Sequence, residues 1–321
     1  MMLVRSIARL LLVLFDGVAS LFPQRFRQGV HNVLRVRYFQ RPFDPVINFY
    51  AKAAERQFTA DGHGTMGMLR MCAHILDKGL HDLNWEPGHS VAIYEQTRKL
   101  LVVCSDSKDS TYSWAKSVVA EYEKRREQVG EPLSPWGADS VSSPITAGDF
   151  LDLAEGRVSV RCFKEESVLP EQVVRLVEAG LAAPSSCNRQ SLQVYACVEP
   201  DRAKNIASLF HGFTCFSSFV PCVLVMCADV RAYHMPVELF VPTYDTGLAV
   251  SNMALMAHAM GLSMTQLIWS GRNKMDREKR LRVLLDIPDY QDIVVGAVCG
   301  FPLRGANRPT RKSVKNTVRF I

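Results

Sequence analysis

Four short apolar runs in the second half of the chain restrict its fold more than any other feature. Each run has the length of a strand, and a helical pattern lies before or between most of them. The runs are Leu192–Val198, Cys222–Ala228, Met264–Trp269 and Ile293–Cys299, and the helical patterns are Asp149–Glu155, Pro170–Ala182 and Tyr244–Met260, the last closed by Gly261. This alternation predicts an α+β domain with a buried sheet.

A change in composition separates this domain from the residues before it. The segment GEPLSPWGADSVSSPITA, residues 130–147, is rich in Gly, Pro and Ser, which is typical of a linker. We therefore predict a mainly helical region over 1–128, a linker over 129–147 and the α+β domain over 148–321.

The helical region is read from two segments with apolar side chains at helical spacing. One runs from Met66 to Lys78 and ends at Gly79, and another runs from Ser113 to Lys124. Between them, Ser90–Tyr94 and Lys99–Cys104 fit a strand and a helix equally well.

The first 23 residues, MMLVRSIARLLLVLFDGVASLFP, have three interpretations. Arg5, Arg9 and Asp16 interrupt the apolar run, which disfavours a transmembrane helix, and the aspartate also disfavours a signal peptide. An amphipathic helix remains. Residues 1–45 contain seven arginines against two aspartates, so this helix suits an anionic membrane surface as well as it suits packing on its own protein.

Net charge and cysteine usage exclude several function classes. The net charge of +6 over 321 residues fits an anionic cofactor or a membrane surface, but it is too small to indicate nucleic-acid binding. Nine cysteines without CxxC spacing, most of them in apolar runs, indicate buried reduced thiols and a cytoplasmic protein. Neither the cysteines nor the histidines have the spacing of a metal site.

The segment RVSVRCF, starting at Arg157, alternates polar and apolar side chains. In an extended chain, Arg157, Ser159 and Arg161 point to the same side, where two guanidinium groups and a hydroxyl can hold a phosphate. Without further context, a solvated strand face is the better explanation of the pattern.

Two further polar segments lie downstream. In APSSCNRQ, residues 183–190, small residues allow a close backbone approach and the Asn188 amide can pair with the edge of a flavin ring, although turn residues are an alternative. The basic tail Arg304–Lys312 is either a solvated end or a second source of phosphate ligands.

In order and spacing, these motifs resemble the nitroreductase family of FMN-dependent oxidoreductases. The resemblance covers about the last 170 residues. It continues through an aspartate-led helix at Asp245–Leu262, the Leu-Asp-Ile-Pro element Leu285–Pro288, a strand ending at Gly300–Pro302, and the tail Arg308–Val314.

The resemblance implies an α+β fold with a mixed sheet flanked by helices and a homodimer with FMN at the subunit interface. It also implies hydride transfer from NAD(P)H to a small organic acceptor. It implies that Arg157 and Arg161 serve the phosphate and the polar edge of the cofactor, with Ser159 between them, and that no side chain acts as a catalytic nucleophile or acid–base pair. The other implied cofactor-binding residues are Pro184, Ser185, Ser186, Asn188, Leu267, Ile268, Trp269, Arg308 and Arg311, where Pro184–Ser186 line the flavin of either subunit.

Two departures from the family pattern concern the substrate. Ser191-Leu192 replaces the usual Pro-Trp, and Trp269 is bulkier than the residues usual beside flavin N5. Upstream, His74–Leu80 resembles a segment of nitroreductase-like proteins of bacterial polysaccharide biosynthesis. The alternative hypothesis, favoured by the departures, is a non-catalytic flavin-fold protein in a membrane-associated assembly.

Overall fold

The computed structural model describes residues 63–82, 85–86, 88–128, 136, 142–233, 238–269 and 274–321. The predicted amphipathic N-terminal helix and most of the predicted linker lie outside this set. Among the helices that are described, none combines the length and the apolarity that crossing a membrane requires.

Three helices form the described N-terminal part: α1 (His63–Leu80), α2 (Val91–Val103) and α3 (Ser110–Glu127). The segments that fitted strand or helix equally well both lie in or beside α2. Its buried residues Tyr94, Thr97 and Leu100 are three apart, so they form one stripe of a helix facing α1 and α3. These helices bury apolar side chains such as Leu69, Leu76 and Val118 among themselves.

The C-terminal part contains five helices and four strands in the described residues. In chain order they are α4 (Ala147–Gly156), α5 (Pro170–Leu181), β1 (Leu192–Cys197), α6 (Pro200–Ala207), β2 (Cys222–Asp229), α7 (Val241–Ala259), β3 (Ser263–Ile268), α8 (Lys274–Leu285) and β4 (Gln291–Gly300). Each of the four apolar runs forms a strand, and α6 and α8 are helices that the pattern did not predict.

The strands form one sheet in the order β1-β2-β4-β3. Every side chain of the central strand β2 is buried, and separate apolar cores cover the two faces of the sheet. The predicted α+β class with helices flanking a sheet is confirmed. Pairing among the described strands is antiparallel throughout, so the mixed strand direction was wrong for them.

Helix α7 is the long central helix of the C-terminal part, and it packs against α5 and the sheet. It is followed by Gly261 at φ +74°, a left-handed backbone conformation that glycine adopts without steric cost, and the Leu262 amide donates back to the Ala257 carbonyl at 2.8 Å. The glycine predicted to close this helix does so.

The N-terminal helices lie directly against the C-terminal part. Helix α1 contacts the short turns Ser186–Asn188 and Val230–Ala232. At Gly67 the approach is so close that an added Cβ would lie 2.8 Å from the Ala232 Cβ. The two parts have their own cores but share a surface, and the boundary at 129–147 stays a prediction.

Candidate functional site

The segment after α4 runs in extended form beside β3. Ser263 Oγ donates to the Val158 carbonyl at 3.0 Å, and Thr265 Oγ donates to the Val160 carbonyl at 2.7 Å. Val158 and Val160 pack on the core, whereas Arg161 is exposed. The segment therefore has the extended backbone that the predicted alternation requires, with Val160 buried and Arg161 exposed, while Arg157 and Ser159 are half-buried.

The two arginines of this segment carry charge that the described residues do not neutralise. Neither Arg157 nor Arg161 contacts a described carboxylate, and the Arg161 guanidinium lies 6.0 Å from the centre of the Phe216 ring. The Arg161 carbonyl accepts a hydrogen bond from the Ser217 amide at 2.9 Å, which fixes the backbone. Two unpaired guanidinium groups beside a hydroxyl fit a phosphate-bearing ligand.

The loop Ala183–Gln190 has an unusual backbone. Cys187, Asn188 and Gln190 have φ of 52°, 54° and 53°, a left-handed region that residues other than glycine adopt only when their surroundings hold them there. The Asn188 side-chain carbonyl accepts from the Gln190 amide group at 2.9 Å, and the Gln190 backbone amide donates to Ser185 Oγ at 3.2 Å.

Buried Asp245 of α7 anchors this loop. Its carboxylate accepts from the Ser186 backbone amide at 3.0 Å and from Ser186 Oγ at 2.8 Å. The Tyr233 hydroxyl donates to the same carboxylate at 2.8 Å and lies 2.9 Å from Ser191 Oγ. Burial raises the pKa of Tyr233, so the phenol remains a donor. Ser191, which departs from the family pattern, thus has a hydrogen-bonding role.

Arg189 was not singled out from the sequence, yet it joins the loop to the N-terminal helices. Its side chain is buried, and one terminal nitrogen lies 2.6 Å from Glu238 Oε1 and 3.1 Å from the sulfur of Met71 in α1. Its guanidinium also lies 5.0 Å from the centre of the Tyr233 ring. The sequence signal for Arg189 was a charged residue in a segment of small residues. It did not identify the role of Arg189, because the partners of this side chain are distant in sequence.

The residues predicted near flavin N5 lie at the C-terminal end of β3. Leu267 is buried, Ile268 is exposed and Trp269 packs on Phe210 with ring centres 5.0 Å apart. The Trp269 indole N–H is buried without a hydrogen-bond partner in the described part of the chain. His211, another residue missed in the sequence, pairs with Ile268 through two backbone hydrogen bonds of 3.0 and 3.1 Å. An unsatisfied donor at this end of β3 fits a bound polar ring.

Of the two predicted tail arginines, one contacts helix α4, which precedes the Arg157–Arg161 segment. Arg308 lies 3.3 Å from Glu155, two residues before Arg157, and both side chains are exposed. Arg311 donates to the carbonyls of its neighbours Pro309 and Thr310. The tail therefore places Arg308 against the last turn of α4, while Arg311 bonds only locally among the contacts described.

The predicted site residues fall into two groups at opposite ends of α7. Ser186 contacts Asp245 near the start of this helix, while Gly156 lies against His258 near its end, where an added Cβ would be 2.6 Å from His258 Nε2. At 1.5 Å per residue, these contacts are about 20 Å apart. The structure places Arg157, Ser159 and Arg161 on one segment after α4, with Arg308 against the preceding Glu155, but it does not bring them to Pro184–Asn188.

Comparison with known proteins bears on this arrangement. Residues 154–214 match the nitroreductase family. The matched segment begins just before Arg157 and extends past Asn188, so the resemblance inferred from the motifs is confirmed. It does not include His74–Leu80, and the resemblance of that segment to proteins of polysaccharide biosynthesis stays a prediction.

Among curated proteins, an FMN reductase [NAD(P)H] of Bacillus subtilis is 28% identical over 167 residues, which cover 47% of this chain and 65% of that protein. An NADPH-dependent oxidoreductase of Staphylococcus epidermidis is 28% identical over 173 residues, 47% of this chain and 64% of that protein. The chain thus spans just under two thirds of these relatives.

Among solved structures, an FMN-dependent nitroreductase from Clostridium difficile aligns with a TM-score of 0.46 at 21% identity, covering 53% of this chain and 98% of that one. A nitroreductase-like protein from Streptococcus mutans aligns with a TM-score of 0.47 at 20% identity, covering 55% of this chain and all of that one.

Proposed function

We propose that the chain is an FMN-dependent oxidoreductase that passes a hydride from NAD(P)H to a small organic acceptor. The observation that carries the proposal is the pair of unneutralised guanidinium groups, Arg157 and Arg161, flanking Ser159 inside the family-matched segment. The curated relatives named above are an FMN reductase and an NADPH-dependent oxidoreductase, which supports this cofactor and this donor.

Each residue group has a distinct task in this proposal. Arg157, with Ser159 and Arg308, holds the phosphate, and Arg161 lies where its charge stabilises an anionic ring edge. The Trp269 indole N–H and the backbone at Leu267–Ile268 face the ring. When bound, FMN supplies the two-electron chemistry that links donor and acceptor.

The proposed site is shared between two copies of the chain. Because Arg157 and Ser186 lie at opposite ends of α7, about 20 Å apart, one copy supplies the phosphate segment and the second supplies Pro184–Ser186 and Asn188. In a two-fold symmetric dimer this gives two identical sites, each with residues from both copies. Exposed apolar side chains on α7 and α5, such as Tyr244 and Val174, provide surface for the contact.

Complementation between two defective variants tests the shared site. Arg157→Ala and Asn188→Ala chains, each expected to bind FMN more weakly, are co-expressed with different tags, and the mixed dimer is isolated at an FMN concentration that loads wild type but neither variant alone. A shared site gives one intact and one doubly altered site per mixed dimer, so we expect half of the wild-type FMN content. If both residues served the same copy's flavin, no intact site would form and the mixed dimer would be colourless.

Two finer assignments go with this proposal. A role in polysaccharide biosynthesis is supported by the resemblance of His74–Leu80, and peripheral contact with a membrane is supported by the arginine excess of residues 1–45. Deletion of residues 1–45 tests the second: the shortened protein is expected to lose binding to anionic vesicles while it keeps its flavin.

A further inference from the structure

A cavity of about 620 Å³ lies between the N-terminal helices and the loop that precedes β1. This volume is within the range of about 300–1,000 Å³ that is usual for small-molecule sites. Its wall includes Arg70, Asp109, Thr111 and Trp114 on the N-terminal side and Asn188 and Gln190 on the other. Four of these six residues come from a part of the chain that the family match does not include.

The two walls of the cavity are held together by close packing. Arg189 contacts the Met71 sulfur, and Cys187 packs against the apolar core of α1–α3. Because these contacts flank Asn188, the loop and the N-terminal helices keep a fixed spacing. The cavity is therefore a built feature of the fold and not an accidental gap between two independent parts.

Among the described residues, the lining carries no net charge. The ionisable residues of this described lining are Arg70 and Asp109, and they form an ion pair with 2.6 Å between Nη2 and Oδ2. Arg70 Nε also donates to Thr111 Oγ1 at 2.9 Å, so the guanidinium is engaged on two sides. A charged ligand would have to compete with this pair, whereas an uncharged ligand leaves it intact.

The remaining side chains favour a flat polar compound. The half-buried Trp114 offers an aromatic surface for ring stacking, and the amides of Asn188, Gln190 and Gln193 offer both donors and acceptors. We propose that the N-terminal helices form one wall of an acceptor pocket, and that the Arg70–Asp109 pair makes this pocket select uncharged ring compounds over anions.

This inference rests on the proposed function, because Asn188 is the residue that places the cavity beside the flavin. In the complete reaction NAD(P)H is oxidised to NAD(P)⁺, and the bound acceptor gains the hydride together with one proton from solvent. The N-terminal helices thereby determine which acceptor the oxidoreductase uses.

Calorimetric titration of the full-length, oxidised, FMN-loaded protein with 4-nitrobenzamide and 4-nitrobenzoate tests the charge selection, since these probes have nearly the same shape and differ in charge. Wild type should bind the amide about tenfold more tightly. Asp109→Asn keeps a side chain that caps α3 but removes the charge that pairs with Arg70. The affinity for 4-nitrobenzoate should therefore rise about tenfold, while the affinity for 4-nitrobenzamide stays the same.

Asp106→Asn is the matched control, because it removes the same charge from an exposed residue outside the cavity lining. It should leave both affinities unchanged. Trp114→Ala should weaken amide binding about three- to tenfold, and Trp114→Phe, which keeps an aromatic face and much of the packing, should weaken it far less.

The inference is overturned if wild type binds neither probe, if it binds both equally, or if Asp109→Asn behaves like Asp106→Asn. Calorimetry measures probe binding without electron transfer. The charge-selective pocket and the proposed oxidoreductase function can therefore be refuted independently of each other. If the protein binds the two probes selectively but NAD(P)H does not reduce its flavin, only the proposed function is refuted. A reducible flavin with no selectivity at the cavity would refute this inference alone.

Discussion

At the scale of single residues, the account depends on what surrounds each charged side chain. Arg157 follows the last turn of α4 and has no carboxylate partner in the described residues, whereas Arg175 on α5 is exposed and pairs locally with Glu178 at 2.9 Å. The two residues are chemically identical, but only the first lies on the segment proposed to hold a phosphate. This contrast provides a matched test.

Arg157→Ala should weaken FMN binding by about 1.5–3 kcal/mol, the usual contribution of a hydrogen bond to a charged group, or roughly 10- to 150-fold in dissociation constant. Arg175→Ala should leave FMN binding unchanged. The measurement is a fluorescence titration of apoprotein with FMN. Equal affinity in the two variants would remove Arg157 from the phosphate site.

Residues whose roles are local were predictable from the sequence, and residues with distant partners were not. The alternation of Arg157, Ser159 and Arg161 is visible in five consecutive letters, and the structure gives this segment the extended backbone that the alternation requires. The role of Arg189 depends on Glu238 and Met71, which are 49 and 118 residues away. A pattern in one sequence carries no record of such pairings.

At the scale of helices and strands, the same distinction separates the elements that were predicted from those that were missed. The apolar run of β2 is buried on both faces, so its composition alone identifies a strand. Helix α8, KMDREKRLRVLL, is dominated by charged residues and has no clear apolar stripe. Helix α2 was ambiguous because apolar residues cluster at both of its ends.

The N-terminus of α3 gives a prediction for acid conditions. Partial burial on its own would raise the pKa of Asp109, but hydrogen bonds from Thr111 and the charge of Arg70 outweigh this effect and lower the pKa below its ordinary value. A lowered pKa means that the folded state favours the carboxylate. Its contribution to stability is present above the unfolded-state pKa of about 3.9 and is lost as the pH falls through the folded-state pKa.

Asp109→Asn should therefore destabilise the protein at pH 7 and make no difference once the pH is below both pKa values. The effect should stay under about 1 kcal/mol, because the Asp109 side chain is 37% exposed and solvent screens its ion pair. Urea unfolding of wild type, Asp109→Asn and Asp106→Asn at a series of pH values measures it. A difference between wild type and Asp109→Asn that is constant with pH would contradict the assignment.

At the scale of the whole molecule, two features define the architecture. The segment Arg157–Arg161 and the Pro184–Asn188 loop lie at opposite ends of α7, which is the basis for proposing that two copies share each site. The N-terminal helices pack on that loop through the contact of Met71 with Arg189 and on the turn Val230–Ala232 through Gly67, and they add a cavity next to the loop. The order of the motifs predicted the cofactor-binding residues as one set. Only the fold shows that, within one chain, these residues lie at opposite ends of α7.

The most direct test of the central claim is the absorbance spectrum of the purified full-length protein, recorded before and after anaerobic addition of NADH and then NADPH. The account predicts a yellow protein with flavin absorbance that bleaches with one of the two donors. A colourless protein that also fails to bind added FMN would contradict it and would favour a non-catalytic role in an assembly.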